Sequence, residues 1–371
     1  MTFTLSEEHT QLRQAVRGFF AETSPESEVR RLMADPTGFD RAVWKRMGGE
    51  LGLLGLALPR DFGGQGYSTV ELSIVLEEMG RSLLCAPFLS SVVLAANALL
   101  VSGDLAAQKQ YLPGIAAGET IAALAVTEEA GGWDPAGVRT RATRAARCWT
   151  LTGTKSFVLD GHVADVVLVV ARTPSGFGMF AVPGDAPGLE RHLLPTMDQT
   201  RKQASLTLRD VPATLVGDEV AAWSYLDPVL VRAAVALGAE QVGGAQRVLE
   251  MATEHARNRI QFGRPIGSFQ AIKHKAANTL VAVESARSAV YHASLCAETH
   301  PEDLPVAAAI VKAYCSPAYV RATKDNIQIH GGIGFTWEHS AHLYFKRAKS
   351  SELLFGDPTL WRARLADQLG L

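Results

Sequence analysis

The 371-residue chain is poor in several features that would assign it to particular classes of protein. It has four cysteines, and none pairs with another at the close spacing of a zinc site or a disulfide framework. We therefore expect reduced thiols, no metal site and a cytoplasmic location. The formal net charge is −2, with no basic tail or block of like charge, so the usual signature of a nucleic-acid partner is absent.

Long apolar runs are missing as well. No stretch reaches the about 20 apolar residues that a membrane-spanning helix requires, so we expect no membrane association. The opening stretch "MTFTLSEEHTQLRQAVRGFF" has neither the basic n-region nor the apolar h-region of a signal peptide. It predicts an amphipathic helix with Ser6 as the N-cap, and with Leu12, Val16, Phe19 and Phe20 on one face.

The hydrophobic period changes twice, which divides the chain into three predicted domains of an α+β multidomain protein. Residues 1–120 repeat apolar residues three and four positions apart, as helices do. Residues 121–218 hold short β-branched or aromatic runs between turn-forming residues, which predict an antiparallel β barrel or sandwich. Residues 219–371 return to the helical period and predict a four-helix bundle. Its predicted helices are 224–257, 269–299, 302–329 and 340–368.

Four short motifs follow one another along the second and third of these segments. They are "AVTEEAGGWD" (125–134), "GTKSFVLDG" (153–161), "RNRIQFGRPIGSFQAIKH" (257–274) and "QIHGGIGFT" (328–336). The glycines of the last motif follow a helical stretch rather than a strand, so they do not match a Rossmann fingerprint. In this order around a β domain, the motifs closely resemble those of the acyl-CoA dehydrogenase family of flavoproteins, over essentially the whole chain.

The resemblance implies FAD as the cofactor and assigns part of it to the β domain. Val126 and Thr127 would offer backbone and hydroxyl hydrogen bonds to the flavin ring, and Phe157 and Val158 would pack beside it. The alternative is that these are ordinary strand-end residues.

The resemblance also implies that the ADP half of FAD is bound by the neighbouring subunit, and hence at least a dimer, either a homo-oligomer or an assembly with a sister chain. The residues assigned to this half are Arg259, Gln261, Phe262, Gln328, Gly331 and Gly332. Arginine supplies a charge-assisted donor to pyrophosphate, and glycines let backbone N–H groups approach a phosphate. A glycine turn that merely ends a helix is the alternative.

Three positions depart from the family's pattern. Trp133 stands where the family has a Ser, and Leu159 stands where it has a Thr. Phe355 stands where the family commonly carries its catalytic Glu, just before a Gly near the C-terminus. Because a phenyl ring cannot take a proton, we expect Phe355 to be a buried wall of the substrate pocket.

Glu240 is the candidate for a relocated base. It lies in the apolar run "ALGAEQVGGAQ" (236–246), where an unpaired ionised carboxylate would cost roughly several kcal/mol. Some family members place the base on this helix, at the position that corresponds to Ala233, and Glu240 follows two turns later on the same face. Gly243 and Gly244 would leave room for a ligand. The alternatives are simple exposure or a structural pair with Arg232, Arg247 or His330.

The resemblance implies α,β-dehydrogenation of an acyl-CoA thioester. A carboxylate would take the α-proton, a hydride would pass to the flavin, and hydrogen bonds would polarise the thioester carbonyl. Electrons would then pass to electron-transferring flavoprotein. Two alternatives remain open: an oxidase or monooxygenase on the same fold, and a non-catalytic partner subunit that completes the FAD site of a sister chain.

Overall fold

The computed structural model describes residues 6–145 and 148–371. Its first helix, α1 (Glu7–Thr23), begins as the sequence predicts. The Ser6 Oγ accepts a hydrogen bond from the His9 N–H at 3.2 Å, and the His9 ring accepts one from the Ser6 N–H at 3.3 Å. This reciprocal pair satisfies two N–H groups that a helix start leaves without partners. Val16, Phe19 and Phe20 are buried, so the predicted cap and apolar face are confirmed.

The N-terminal segment is helical throughout, as its period predicts. After α1 come α2 (Glu26–Ala34), α3 (Arg41–Gly49), α4 (Thr69–Arg81), α5 (Ala96–Ser102) and α6 (Leu105–Ala117). A π-helical stretch, Leu89–Ala95, leads directly into α5. The side chains of Asp40 and Asp104 cap α3 and α6.

The middle segment forms a β barrel. Its strands are β1 (Ala122–Ala125), β2 (Arg141–Ala145), β3 (Cys148–Leu159), β4 (Val166–Arg172), β5 (Phe177–Pro183), β6 (Leu189–Leu193) and β7 (Gln203–Val216). Pairings β4–β2, β2–β3, β3–β7, β7–β5 and β5–β4 close a ring. Most of these pairs are antiparallel, as predicted, but β1 and β2 both pair with β4 in parallel. The β2–β3 hairpin between β1 and β4 supplies the long connection that parallel strands need.

The C-terminal segment is helical, with one correction to the predicted fourth helix. The helices are α7 (Ala222–Asn258), α8 (Gln270–Thr299), α9 (Leu304–His330), α10 (Ala341–Leu353) and α11 (Pro358–Leu369). A small antiparallel hairpin of β8 (Ile260–Gln261) and β9 (Arg264–Pro265) follows α7. The predicted helix over 340–368 is two helices, because Phe355 and Gly356 have φ of +63° and +97° and Pro358 begins α11.

Residue contacts group the chain into two compact units that interleave along the sequence. One, here the helical unit, comprises the residues up to Arg30, Thr69–Leu84 and Ala234–Leu371. The other, here the barrel unit, comprises Arg31–Ser68 and Cys85–Ala233. The boundaries near residues 120 and 218 stay predictions from the hydrophobic period.

Two further expectations concern cysteines and membrane spans. All four cysteines are free thiols, and only Cys148 is exposed. Within 6–145 and 148–371, no helix combines the length and the apolar character needed to cross a bilayer.

Candidate active site

Glu240 lies in α7 and is only 6% exposed. Its Oε1 accepts a hydrogen bond from the Arg347 Nη1 on α10 at 2.7 Å. Arg347 is itself buried and also donates to the Leu84 carbonyl at 3.4 Å. The carboxylate therefore has a buried guanidinium partner, which is the structural alternative that the sequence left open.

The identity of that partner differs from the three candidates named from sequence. Of those three, Arg247 lies 3.7 Å from a Glu250 oxygen, and the His330 Nδ1 lies 2.9 Å from the Asn326 carbonyl. The sequence analysis missed Arg347. The available indication was its position in α10 between Tyr344 and Ala348. Both of these residues are buried, so an arginine between them needs a buried partner.

Gly243 and Gly244 do not open a ligand space beside Glu240. A Cβ atom at Gly243 would lie 1.7 Å from the Glu77 carbonyl oxygen, and one at Gly244 would lie 2.3 Å from the Tyr319 hydroxyl. A Cβ atom at Gly80 on α4 would likewise lie 1.9 Å from the Glu240 carbonyl oxygen. These glycines bring α4 and α9 close to α7, so the expectation of room for a ligand is wrong.

The turn that carries Phe355 is buried and held at both ends. Phe355 is 1% exposed, and its carbonyl accepts a hydrogen bond from the Trp361 indole at 3.0 Å. Lys312 donates to the carbonyls of Ser351 and Glu352, at 3.1 and 2.8 Å, where α10 ends. Burial lowers the pKa of Lys312 to about 8. The expected burial of Phe355 is confirmed, and its ring has no atom that accepts a proton.

In the barrel unit, the segment that follows β1 is bonded to β3. The Thr127 hydroxyl donates to the Ser156 carbonyl at 2.6 Å, and the Ser156 N–H donates to the Thr127 carbonyl at 2.9 Å. Because the Thr127 hydroxyl donates its hydrogen to the Ser156 carbonyl, it could form a hydrogen bond with a flavin only as an acceptor.

A buried ion pair supports the same segment. Lys155 Nζ donates to the Val126 carbonyl and to the Glu128 carboxylate, both at 2.9 Å. Glu128 also accepts from the Thr140 N–H and hydroxyl, at 2.9 and 2.8 Å. Burial lowers the pKa of Lys155 to about 8, although Glu128 acts in the opposite direction. The sequence analysis did not single out Lys155, although the lysine stands in the quoted motif.

Phe157 and Val158 differ in what they present. The β3–β7 register shifts between Lys155 and Val158, and Phe157 there has a φ of +59° and is 46% exposed. Val158 and Leu159 are buried. A bulge that turns one aromatic ring outward is consistent with the packing surface predicted for Phe157. The side chain of Val158 belongs to the core of the barrel unit.

All six residues predicted to bind the ADP half lie exposed in the helical unit. Arg259, Gln261 and Phe262 stand at and after the end of α7, and the Phe262 side chain is 90% exposed. Gln328 lies near the end of α9, and Gly331 and Gly332 begin a 3₁₀ turn, Gly331–Phe335. Gly331 has a φ of +67°, and a Cβ at either glycine would meet open space. The Gly331 N–H donates to the Ile327 carbonyl, so of the two glycines Gly332 is the one whose N–H an anionic group would use.

The two exposed segments are neighbours in the helical unit. The rings of His255 on α7 and His330 on α9 stack with 4.2 Å between centroids. A buried apolar cluster of Ala252, Ala256 and Ile329 packs beneath them. The structure thus brings together residues that lie about seventy positions apart in the sequence.

A cavity of about 400 Å³ in the helical unit contains none of the predicted site residues. Three arginines line it, each with a carboxylate partner. Arg17 pairs with Glu78 at 2.8 Å, Arg81 with Glu250 at 2.5 Å, and Arg247 with the same Glu250 at 3.7 Å. The lining arginines are therefore combined with carboxylates, and Arg81 and Arg247 share Glu250.

Comparisons with known proteins cover nearly the whole chain. Models of the N-terminal, middle and C-terminal domains of acyl-CoA dehydrogenases match residues 6–119, 123–211 and 223–370. Acyl-CoA dehydrogenase IpdE2 of Mycobacterium tuberculosis is 33% identical over 366 residues, which cover 99% of this chain and 98% of the relative.

Two solved structures are similar over the same extent. The Tcur3481-Tcur3483 steroid ACAD G363A variant is 32% identical, with a TM-score of 0.88 and 99% of both chains covered. The ChsE4-ChsE5 complex from Mycobacterium tuberculosis is 30% identical, with a TM-score of 0.89, and covers 100% of this chain and 99% of that one. With its three domains matched in order, this protein belongs to the acyl-CoA dehydrogenase family of FAD-dependent oxidoreductases.

Proposed function

We propose that this chain is a subunit of a heteromeric acyl-CoA dehydrogenase and presents the ADP-binding half of an FAD site to a sister chain. The observation that carries the proposal is the exposure of all six predicted ADP contacts in two neighbouring segments of the helical unit. The paired names of the two similar solved structures favour a sister chain over a second identical copy.

The residues of these segments fit a dinucleotide. The Arg259 guanidinium would bind the pyrophosphate, and the backbone N–H of Gly332 would donate to it, since the Gly331 N–H already donates to the Ile327 carbonyl. The amides of Gln261 and Gln328 and the exposed Phe262 ring would complete the contact. When bound, FAD supplies the acceptor for the hydride in the dehydrogenation of an acyl-CoA thioester.

We further propose that the catalytic base belongs to the sister chain. Phe355 occupies the place of the family's usual carboxylate, and Glu240 is held by Arg347 at 2.7 Å. A proton on Glu240 would leave the buried guanidinium without its counter-charge, which is costly in a desolvated site. Glu240 therefore serves better as a structural partner of Arg347 than as the relocated base. The alternative is a homo-oligomer that is active by itself and uses Glu240 as the base. The test below distinguishes the two.

Three finer assignments complete the proposal. A ring-bearing acyl-CoA is the proposed substrate class, because one similar structure is named for a steroid. Electron-transferring flavoprotein is the proposed acceptor, as the family resemblance implies. The cytoplasm is the proposed location, in keeping with four free thiols.

The test is the visible spectrum of the chain purified alone and after co-expression with a candidate sister chain of the same family. We expect a colourless protein alone, and a yellow complex with FAD in equal number to the sister chain. Anaerobic bleaching by straight, branched and ring-bearing acyl-CoAs then identifies the substrate class. A chain that alone retains FAD and is bleached by any acyl-CoA would contradict the proposal in favour of the homo-oligomer.

A further inference from the structure

Three histidine rings lie in a row in the helical unit, the first pair stacked with 30° between the ring planes and the second pair tilted by 51°. His255 lies near the end of α7, His330 is the last residue of α9, and His339 lies just before α10. The centroids of His255 and His330 are 4.2 Å apart, and those of His330 and His339 are 4.3 Å apart. We refer to these three rings as the histidine stack.

The hydrogen bonds of the histidine stack define its protonation state. The Nδ1 of His339 accepts a hydrogen bond from the Ala341 N–H at 3.1 Å, so that nitrogen carries no proton. His330 donates its Nδ1–H to the Asn326 carbonyl at 2.9 Å. A proton added to His339 would occupy Nδ1 and remove the acceptor that supports the start of α10. The observed geometry of His339 therefore requires the neutral ring.

The histidine stack connects the two segments that the proposed function assigns to ADP. The His255 carbonyl accepts the Arg259 N–H at 2.8 Å, so the stack and the arginine share the last turn of α7. Gly331 follows His330 directly, and its N–H donates to the Ile327 carbonyl. Displacement of either ring would move the backbone that presents Arg259 or Gly331.

We propose that the uncharged histidine stack positions Arg259 and the Gly331–Gly332 backbone for one pyrophosphate, and that protonation of the stack releases the cofactor. This proposal rests on the proposed function of the two segments. His255, His330 and His339 are positioning residues, since none is assigned a contact with FAD.

The surroundings of the histidine stack favour its neutral form. Burial lowers the pKa of His255, and neighbouring His330, Arg259 and His339 lower it further. Burial and then His330 lower the pKa of His339. The other charged or titratable groups that face His339 are His342 on α10 and Glu26 and Arg30 on α2, of which Glu26 alone favours a positive charge.

The direction of the pH effect follows from these lowered pKa values. In the folded chain His255 and His339 take up a proton less readily than a free imidazole, whose pKa is about 6.5. The stabilisation by the neutral stack is therefore complete above about pH 6.5 and is lost as the pH falls below that value. The proposal requires that displacement of Arg259 and Gly331 on protonation outweighs the attraction of the added positive charge for the pyrophosphate, so that FAD binding weakens over the same range.

The experiment uses the co-expressed complex and follows release of FAD by its fluorescence between about pH 8 and about pH 5.5, on either side of the ordinary histidine pKa. We expect FAD affinity to fall roughly tenfold or more, equivalent to about one pKa unit. The His330→Asn variant, which removes the ring that contacts both His255 and His339, should largely lose this dependence. His300→Asn is the matched control, because His300 is exposed and lies outside the stack.

A second variant and one measurement keep the outcomes distinct. His339→Asn retains an oxygen that can accept the Ala341 N–H but cannot titrate, so it should also flatten the pH profile. Circular dichroism at about pH 8, above the ordinary histidine pKa, checks that each variant is folded. A wild-type complex that holds FAD equally at both ends of the range, or folded variants with the wild-type profile, would overturn the proposal. Absence of FAD from the wild-type complex at the upper end would instead contradict the proposed function.

Discussion

The two segments that the family resemblance assigns to FAD differ in how much of the pattern they keep. In the barrel unit, Trp133 and Leu159 replace two hydroxyl residues, and the remaining Thr127 hydroxyl donates to the Ser156 carbonyl. In the helical unit, every expected ADP contact is present and exposed. This difference between the two segments is what the proposed role, completing the FAD site of a sister chain, would require.

The charged residues of the candidate sites also differ in burial. Glu240 and Glu128 are each bound to a buried cation, Glu240 to Arg347 and Glu128 to Lys155. Arg259 lies exposed at the end of α7. Buried pairs of this kind support the structure around a site, whereas an exposed cation next to an open glycine backbone is available to a ligand.

The largest effect is expected for Arg347→Met, which tests whether Glu240 is structural. Removing the guanidinium breaks the 2.7 Å ion pair of the buried Glu240 carboxylate, which should lower the free energy of unfolding by about 3–5 kcal/mol. Urea denaturation measures the loss. The double variant Glu240→Gln with Arg347→Met should recover a large part of it. A single variant as stable as the wild type would show that the pair contributes nothing.

Lys155→Met should be the next most damaging change, because it breaks the pair that supports the Val126–Glu128 segment. We expect a loss of about 3 kcal/mol, at the lower end for a buried pair, since Glu128 keeps its bonds to Thr140. A double-mutant cycle with Glu128→Gln isolates the coupling between the two charges. Additive losses in that cycle would contradict an energetically coupled pair.

Arg259→Ala tests the half of the comparison that assigns ADP to the helical unit. Loss of one charge-assisted hydrogen bond should cost about 1.5–3 kcal/mol, or roughly ten- to a hundredfold in FAD affinity of the co-expressed complex. Arg257→Ala, at an exposed arginine one half-turn earlier, is the matched control. Thr127→Val should weaken FAD binding less than Arg259→Ala does. The reverse order would transfer the main cofactor contact to the barrel unit.

The smallest effect on the reaction rate is expected for Glu240→Gln in the co-expressed complex, although removal of the counter-charge of Arg347 should lower the free energy of unfolding. If the sister chain carries the base, the rate of anaerobic flavin bleaching by a good acyl-CoA should stay within a few-fold of wild type. Loss of a general base typically lowers the rate by roughly 10²–10⁴-fold. A decrease of that size, with FAD content and acyl-CoA binding unchanged, would restore Glu240 as the base.

Much of the secondary structure could be predicted from local signals. The hydrophobic period predicted the helix–barrel–helix order, and Ser6 predicted the start of α1. The break between α10 and α11 was missed, although its signal is local. Gly356 and Pro358 stand two positions apart in "FGDP". Glycine after a helix and proline soon after it are a recognised stop.

The motifs of the cofactor segments could also be recognised from sequence, because they are continuous. The exposure of these motifs in the helical unit could not be recognised from sequence. A turn after a helix can be buried by a neighbouring element or exposed, whatever its own residues are. The roles of Gly243 and Gly244 show the same limit. Whether a missing side chain leaves space for a ligand or for a neighbouring helix depends on which helix arrives there.

By itself, the sequence of this protein determined the order of helices and strands, the family, and the departure at Phe355, because each of these depends on residue type and spacing along the chain. The tertiary structure alone decided that Glu240 pairs with Arg347 and that α4 and α9 pack closely against the glycines of α7. It also decided that the rings of His255, His330 and His339 lie in contact. The physical reason is that ion pairs, close helix contacts and ring stacks act over a few ångströms between residues that lie far apart in the sequence. Only folding brings such residues within that distance.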